Sequence, residues 1–289
     1  MESEGGSESA KRAAVLCVFC NKPGSLTKEH VIPQWLGKLV RSHDLQALGQ
    51  APKTWINGRL VHGEGIEARG DVEIRSLPAD ILETTVKVVC MSCNSGWMNR
   101  IETNVMDAVS GMVLGRPTHL RRGTKQDIAT WAVLKAMVYQ FTDTTLRPIG
   151  DEQLSAMFAN ALPPEHFAVG LGRYAGHRDI AFKQRTLFGS QNGPELRAST
   201  SVMLIGALVI YTIGANDPRV ISHVAQGPIG SRLRYIWPEP TGALSWPPSS
   251  AQLQSTVDIE MLALELAAMV GGPAALFNTI QAMDRAHSK

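Results

Sequence analysis

Two periodicities alternate along the chain. After Pro33, the apolar positions Trp35, Leu36, Leu39 and Val40 follow a 3.6-residue repeat and predict a short helix opened by the proline. Residues 49–84 are Gly-rich and partly alternating, as in Asp71-Val72-Glu73-Ile74-Arg75, which predicts short strands and a hairpin. Val86 to Val89 predicts another short strand. Trp97, Met98, Ile101, Val105 and Val109 then recur with helical spacing up to the breaker Gly115-Arg116-Pro117. Thr124-Lys125-Gln126-Asp127 resembles a capping box and opens a helix whose apolar face is Ile128, Ala132, Met137 and Phe141. A further helix is expected over 151–161. Phe167 to Leu171, Ile180 to Phe182, Val202 to Ile213 and Leu233 to Trp237 predict strands. The run from Met203 to Ile210 has no alternation and suits a central strand covered on both faces. Two C-terminal helices follow, one opened near Ser255 to Asp258 and one through Leu276, Ile280 and Met283.

This order predicts an α+β chain in three parts: a disordered tail over 1–13, a first domain over 14–115, and a separate α+β domain over 116–289. Composition narrows the class. The chain has 289 residues, is 44% hydrophobic and carries a formal charge of +2, which excludes disordered, collagen-like and coiled-coil types. Only 19% of residues are charged, against about 25% in an average soluble protein, so extensive apolar surface has to be buried. The opening MESEGGSESAKR is acidic and lacks an apolar core, so no signal peptide is expected there. Val202 to Ile213 is the longest apolar stretch, well short of the roughly 20 residues a membrane helix needs. The expectation is a cytoplasmic protein with reduced thiols and no membrane association.

All four cysteines fall in two pairs of identical spacing, Cys17-Val-Phe-Cys20 and Cys90-Met-Ser-Cys93. Two such knuckles brought together supply four thiolates in the tetrahedral arrangement that structural Zn²⁺ prefers, with no position left open for catalysis. The alternatives are a redox-active pair or ordinary core cysteines. Lys28-Glu29-His30-Val31-Ile32-Pro33 begins eight residues after Cys20, and Asn94-Ser95-Gly96-Trp97-Met98 follows Cys93 directly. Joining the knuckles through zinc draws Glu29, His30 and Asn94 toward one another. A carboxylate and an amide oxygen suit Mg²⁺, with the imidazole as a neighbouring general base.

The order C-x-x-C, Glu-His-Val-Ile-Pro, C-x-x-C-Asn resembles the zinc-containing branch of the HNH endonucleases, over roughly residues 14–112. The resemblance implies a ββα-metal fold and hydrolysis of DNA phosphodiester bonds with Mg²⁺ or Mn²⁺. It makes His30 the general base, Glu29 a metal ligand where the family more often has Asp, and Asn94 the second metal ligand. Cys17, Cys20, Cys90 and Cys93 become the structural zinc site. The stretch from Pro33 to Cys90 is longer than the family core and implies an inserted hairpin region. Asn57 is the candidate for the family's middle Asn, and Trp97 and Met98 stand where a Lys often follows the second knuckle.

Other roles remain open for the same residues. His30 could be a buried structural histidine, Glu29 an exposed carboxylate near a helix start, and Asn94 a helix N-cap. Glu102, two turns beyond Asn94, suits a solvated face or a supporting role. Arg121, Arg122 and Lys125 are the preferred candidates for nucleic-acid contact, with Lys11-Arg12, Arg173 and Arg178, Lys183 and Arg185, and Arg232 and Arg234 as further basic clusters. The second domain carries no motif and is expected to choose substrate, partner or oligomer. Two other functions compete with the nuclease: a catalytically inactive zinc-stabilised module that binds DNA or protein, and a thiol-redox sensor.

Overall fold

The computed structural model describes residues 15–43, 46–47, 58–60, 66–68, 81–142, 147–176, 179–189, 196–238, 242–249 and 251–266. Strand β1 (Leu26–His30) pairs antiparallel with β5 (Thr85–Cys90), from Leu26 opposite Cys90 to His30 opposite Thr85, with a register shift between Thr27 and Glu29. Pro33 caps α1 (Gln34–Ser42) through its carbonyl, which accepts the N–H groups of Leu36 and Gly37, and Leu36 and Val40 face inward as their spacing requires. The intervening chain contributes β2 (Gln46–Ala47) and a hairpin of β3 (Gly58–Leu60) and β4 (Ile66–Ala68). The expected strand at Asp71 to Arg75 lies outside the described residues, as does Asn57.

A single turn, α2 (Met91–Cys93), widens over Asn94–Met98 and leads into α3 (Asn99–Val113), which buries Ile101, Val105 and Val109. Gly115, at φ 70°, ends it in the left-handed region, where only a residue without Cβ is unstrained. Strand β6 (Thr118–Leu120) then delivers the chain to α4 (Arg122–Tyr139). The capping box expected at Thr124 does not form. The helix starts earlier, with Arg121 at the N-cap, because pairing of β6 with β12 (Leu244–Trp246) fixes the entry point upstream of Thr124.

Every residue from Ile128 to Gln140 is buried, so α4 is covered on all sides rather than on one face. On one side Trp35 of α1 packs against Trp131, their ring centroids 6.3 Å apart. On the other, the Gln184 amide and the Tyr139 hydroxyl donate to the Ala136 and Phe182 carbonyls, binding α4 to the main sheet. That sheet runs β11-β7-β10-β9-β8-β2, built from β7 (Phe167–Tyr174), β8 (Asp179–Gly189), β9 (Leu196–Ile205), β10 (Leu208–Ala215) and β11 (Arg234–Trp237); β13 (Gln252–Leu253) lies parallel to β7. The fold is α+β. Helix α5 (Asp151–Asn160) precedes the sheet, and α6 (Pro218–Ala225) and α7 (256–266) cover its far face.

The apolar stretch from Val202 to Ile213 is two strands. Gly206, at φ 55°, and Ala207 reverse the chain between β9 and β10. Both strands are central, so Val202, Leu204 and Val209 face α6 and α7 while Met203, Leu208 and Ile210 face α4. Burial on both faces removes the polar residues that would have marked the turn. The core on the α4 side is continuous from Cys17 and Phe19 through Val105 and Trp131 to Ile210, and so crosses the Gly115–Arg116 junction. Among the described residues no helix is long and apolar enough to cross a membrane.

On the far face, the buried Glu265 carboxylate accepts the N–H groups of Ile229 (2.5 Å) and Gly230 (2.8 Å). Burial pushes its pKa up to about 7 although these two bonds oppose the shift; burial likewise raises the hydroxyls of Tyr211 and Tyr235, and the Glu265 charge adds to it. A carboxyl that holds its proton more tightly folded than unfolded contributes stability below pH 4.5 that is lost as pH rises through about 7. Glu265→Gln is therefore expected to match the wild type near pH 4.5 and to exceed it above pH 7 by about 1–3 kcal/mol. Urea unfolding at several pH values measures this, and a constant difference across the range contradicts it.

Candidate metal centre and active site

The first knuckle is a tight loop in which the Asn21 N–H donates to the Cys17 carbonyl and the Cys17 N–H to the Lys22 carbonyl. Val18 is bound to the Val88 carbonyl, which lays this loop along β5. Because β5 ends in Cys90 and the chain turns at once into α2, the second pair stands beside the first. The ligand atoms of Cys17, Cys20, Cys90 and Cys93 all lie within 4.8 Å of one another. The Cys20 and Cys90 sulfurs are 3.7 Å apart, close to the edge of about 3.8 Å that a ZnS₄ tetrahedron with bonds of about 2.3 Å requires. The cluster can hold a metal ion such as zinc. Phe19 meets Trp97 edge to face at 5.3 Å, so an aromatic core backs the cluster.

Burial raises the Cys93 and Cys20 thiols, whereas Cys90 is lowered to about 6: burial opposes this, but the Ser92 hydroxyl and the Cys93 N–H stabilise its thiolate. Cation binding therefore has to displace protons from the buried members, and acid weakens it.

The β1 strand carries the two candidate catalytic residues on opposite faces. Glu29 is buried, and its Oε1 accepts from Lys135 Nζ at 2.7 Å. His30 is half-buried at the end of β1, with Gln34 Nε2 3.4 Å from its Nε2, an amide that can donate only when that ring nitrogen is unprotonated. Asn94 is not a helix N-cap; it closes α2, its N–H donating to the Met91 carbonyl. It sits inside the continuous turns after Cys93, and its Nδ2 donates to Thr27 Oγ1 (3.0 Å) and the Lys28 carbonyl (3.3 Å). Its Oδ1 is left as the accepting end of the amide, beside the strand that bears Glu29 and His30. A carboxylate and an amide oxygen are hard donors of the kind Mg²⁺ or Mn²⁺ takes.

Lys135 was not singled out from the sequence. It is fully buried, and besides Glu29 it holds Glu102 Oε1 at 2.5 Å and the His30 carbonyl at 3.1 Å. Burial alone would strip its charge, but Glu29 and Glu102 outweigh that and hold the ammonium above the usual lysine range. Glu102 thus faces an ion cluster rather than a solvated surface. The signal was present: Lys135 lies seven residues after Ile128 and three after Ala132, on the apolar stripe of α4.

Among the basic candidates, Arg121 and Arg122 are exposed. Lys125 is buried and donates to the Gly242 carbonyl at 2.5 Å; burial, then Arg234 and Arg122, lower its pKa. The fold so brings Arg234 of β11 next to the start of α4, a pairing distant in sequence. Lys11, Arg12 and Arg178 lie outside the described residues. No family model, no curated protein and no solved structure matches the chain.

Proposed function

We propose that the chain is a divalent-metal-dependent endonuclease of the HNH type that hydrolyses DNA phosphodiester bonds, with a zinc cluster as its structural centre. The observation that carries this reading is the Asn94 side chain, which bonds β1 at Thr27 and Lys28 and so sets the residue after the last cysteine against the strand bearing Glu29 and His30. The His30 imidazole takes a proton from water as the water oxygen bonds to phosphorus and the P–O3′ bond breaks, and the departing oxygen is protonated from solvent. Glu29 and Asn94 would hold Mg²⁺ or Mn²⁺, which would supply Lewis-acid stabilisation of the charge that develops on phosphate. Lys135 gives Glu29 the supporting bond that ligating carboxylates usually have. The exposed Arg121, Arg122 and Arg234 are basic groups suited to backbone phosphates, while Lys125 is buried against the Gly242 carbonyl.

One observation favours a second reading, a zinc-stabilised DNA- or protein-binding module without catalysis: Glu29 is buried and already paired with Lys135. Incubation of the zinc-loaded protein with supercoiled plasmid, in Mg²⁺ or Mn²⁺ and in EDTA, separates the two. Metal-dependent nicking supports the endonuclease. Plasmid binding without nicking by folded, zinc-loaded protein supports the module.

A further inference from the structure

The end of β1, paired with β5 at Thr85 and followed by the Val31 N–H bond to the Thr84 carbonyl, gains a side-chain contact that no local sequence feature supplies. His30 is the last residue of the strand, and Val31 to Pro33 lead away from it into α1. A general base at such an end needs an anchor, because catalytic groups tolerate displacements of only about 0.5 Å. Lys135, 105 residues distant, supplies one directly: its ammonium donates to the His30 backbone carbonyl at 3.1 Å and to the Glu29 carboxylate at 2.7 Å. Glu102 of α3 holds the same ammonium at 2.5 Å.

We propose that Lys135 is a positioning residue of the candidate active site, fixing the base at His30 and the ligand at Glu29 relative to each other, with Glu102 fixing Lys135. The proposal rests on the endonuclease reading. A lysine has three N–H donors, and here three acceptors take them, so none is left for a substrate phosphate. Its complete burial likewise excludes direct contact with DNA. Two carboxylates face one ammonium, leaving one negative charge in excess that a divalent cation on Glu29 offsets. A buried ion cluster is weak grounds for stability alone, whereas one bonded to both adjacent functional residues has a reason to be retained. The α4 helix, which packs on the main sheet, thereby couples the sheet to the strand end.

The test uses the full, zinc-loaded chain with Lys135→Met and Glu102→Ala. Zinc content, Mn²⁺ affinity by electron paramagnetic resonance, and kcat and KM for plasmid nicking are measured on each. The expected result for Lys135→Met is Mn²⁺ affinity and kcat each lowered about 10–100-fold with KM for plasmid unchanged, the size usual for loss of a partner behind a metal ligand. Glu102→Ala, which leaves one carboxylate per ammonium and lies at a partly exposed position, is expected to keep its zinc and shift both quantities the same way by less. Wild-type Mn²⁺ affinity and kcat in folded Lys135→Met overturn the proposal. If that variant loses its zinc and unfolds, the same result in Glu102→Ala overturns it. If the wild type neither binds Mn²⁺ nor nicks DNA, the endonuclease reading fails by itself, and the ¹⁵N-histidine spectrum decides: a His30 signal that is single in wild type and split in Glu102→Ala upholds positioning, and an unchanged signal overturns it.

Discussion

Cys93→Ser is expected to bring the zinc content below one equivalent and to lower the melting temperature by about 10 °C, the effect of roughly 3–5 kcal/mol on a chain of this size. Cys93 is 2% exposed, packs in the core beside Trp97, and shares its cluster with Cys17, Cys20 and Cys90. A serine hydroxyl is a poor ligand for zinc, and in that position it also adds a buried polar group. Structural zinc supplies about 10–16 kcal/mol in isolated zinc-finger peptides, where metal is the whole of the fold. The effect here is smaller because the core that holds Phe19 and Val89 continues through α3 and α4 to the sheet, and that part does not need the metal. Loss of structure should therefore centre on the β1–β5 hairpin and the knuckles. Atomic absorption with a thermal melt checks this, and a variant with full zinc and an unchanged melt would mean that the cysteines are ordinary core thiols.

His30→Ala is expected to lower plasmid nicking by about 10²–10⁴-fold, the usual contribution of a positioned general base. Zinc content and melting temperature should stay as in the wild type. The imidazole is half-buried and meets Gln34, while the contact that ties this residue to the core runs through its backbone carbonyl, which alanine keeps. The two substitutions therefore separate chemistry from scaffold: one removes cleavage and spares zinc, the other removes zinc and takes cleavage with it. Nicking at the wild-type rate in His30→Ala would assign the base to another residue or the activity to a contaminant.

The parts of the candidate site legible in the sequence were those set by short-range chemistry. A knuckle of two cysteines three residues apart is a local object, and two of equal spacing in a chain with no other cysteine are suited to share one cation. Pro33 as a helix opener and the stripe Ile101, Val105 and Val109 were readable because φ restriction and helical periodicity act within one or two turns. Asn94 was readable as a residue drawn toward Glu29 and His30, but its bonds to Thr27 and Lys28 were not, since nothing in residues 94–98 specifies the strand they meet.

By itself the sequence determined the α+β class, the two cysteine pairs and the helix that follows the second, because strand and helix periodicity and the C-x-x-C spacing are each set within short stretches of chain. The tertiary structure alone decided three things. It split the apolar run at Gly206, since a stretch buried on both faces carries no polar alternation to mark its turn. It moved the start of α4 to Arg122, because pairing of β6 with β12 outweighed the local preference for Thr124. It also joined Glu29, Glu102 and Lys135, whose charges can be buried only in each other's company, and so made one ammonium on α4 the support of a strand end more than a hundred residues away.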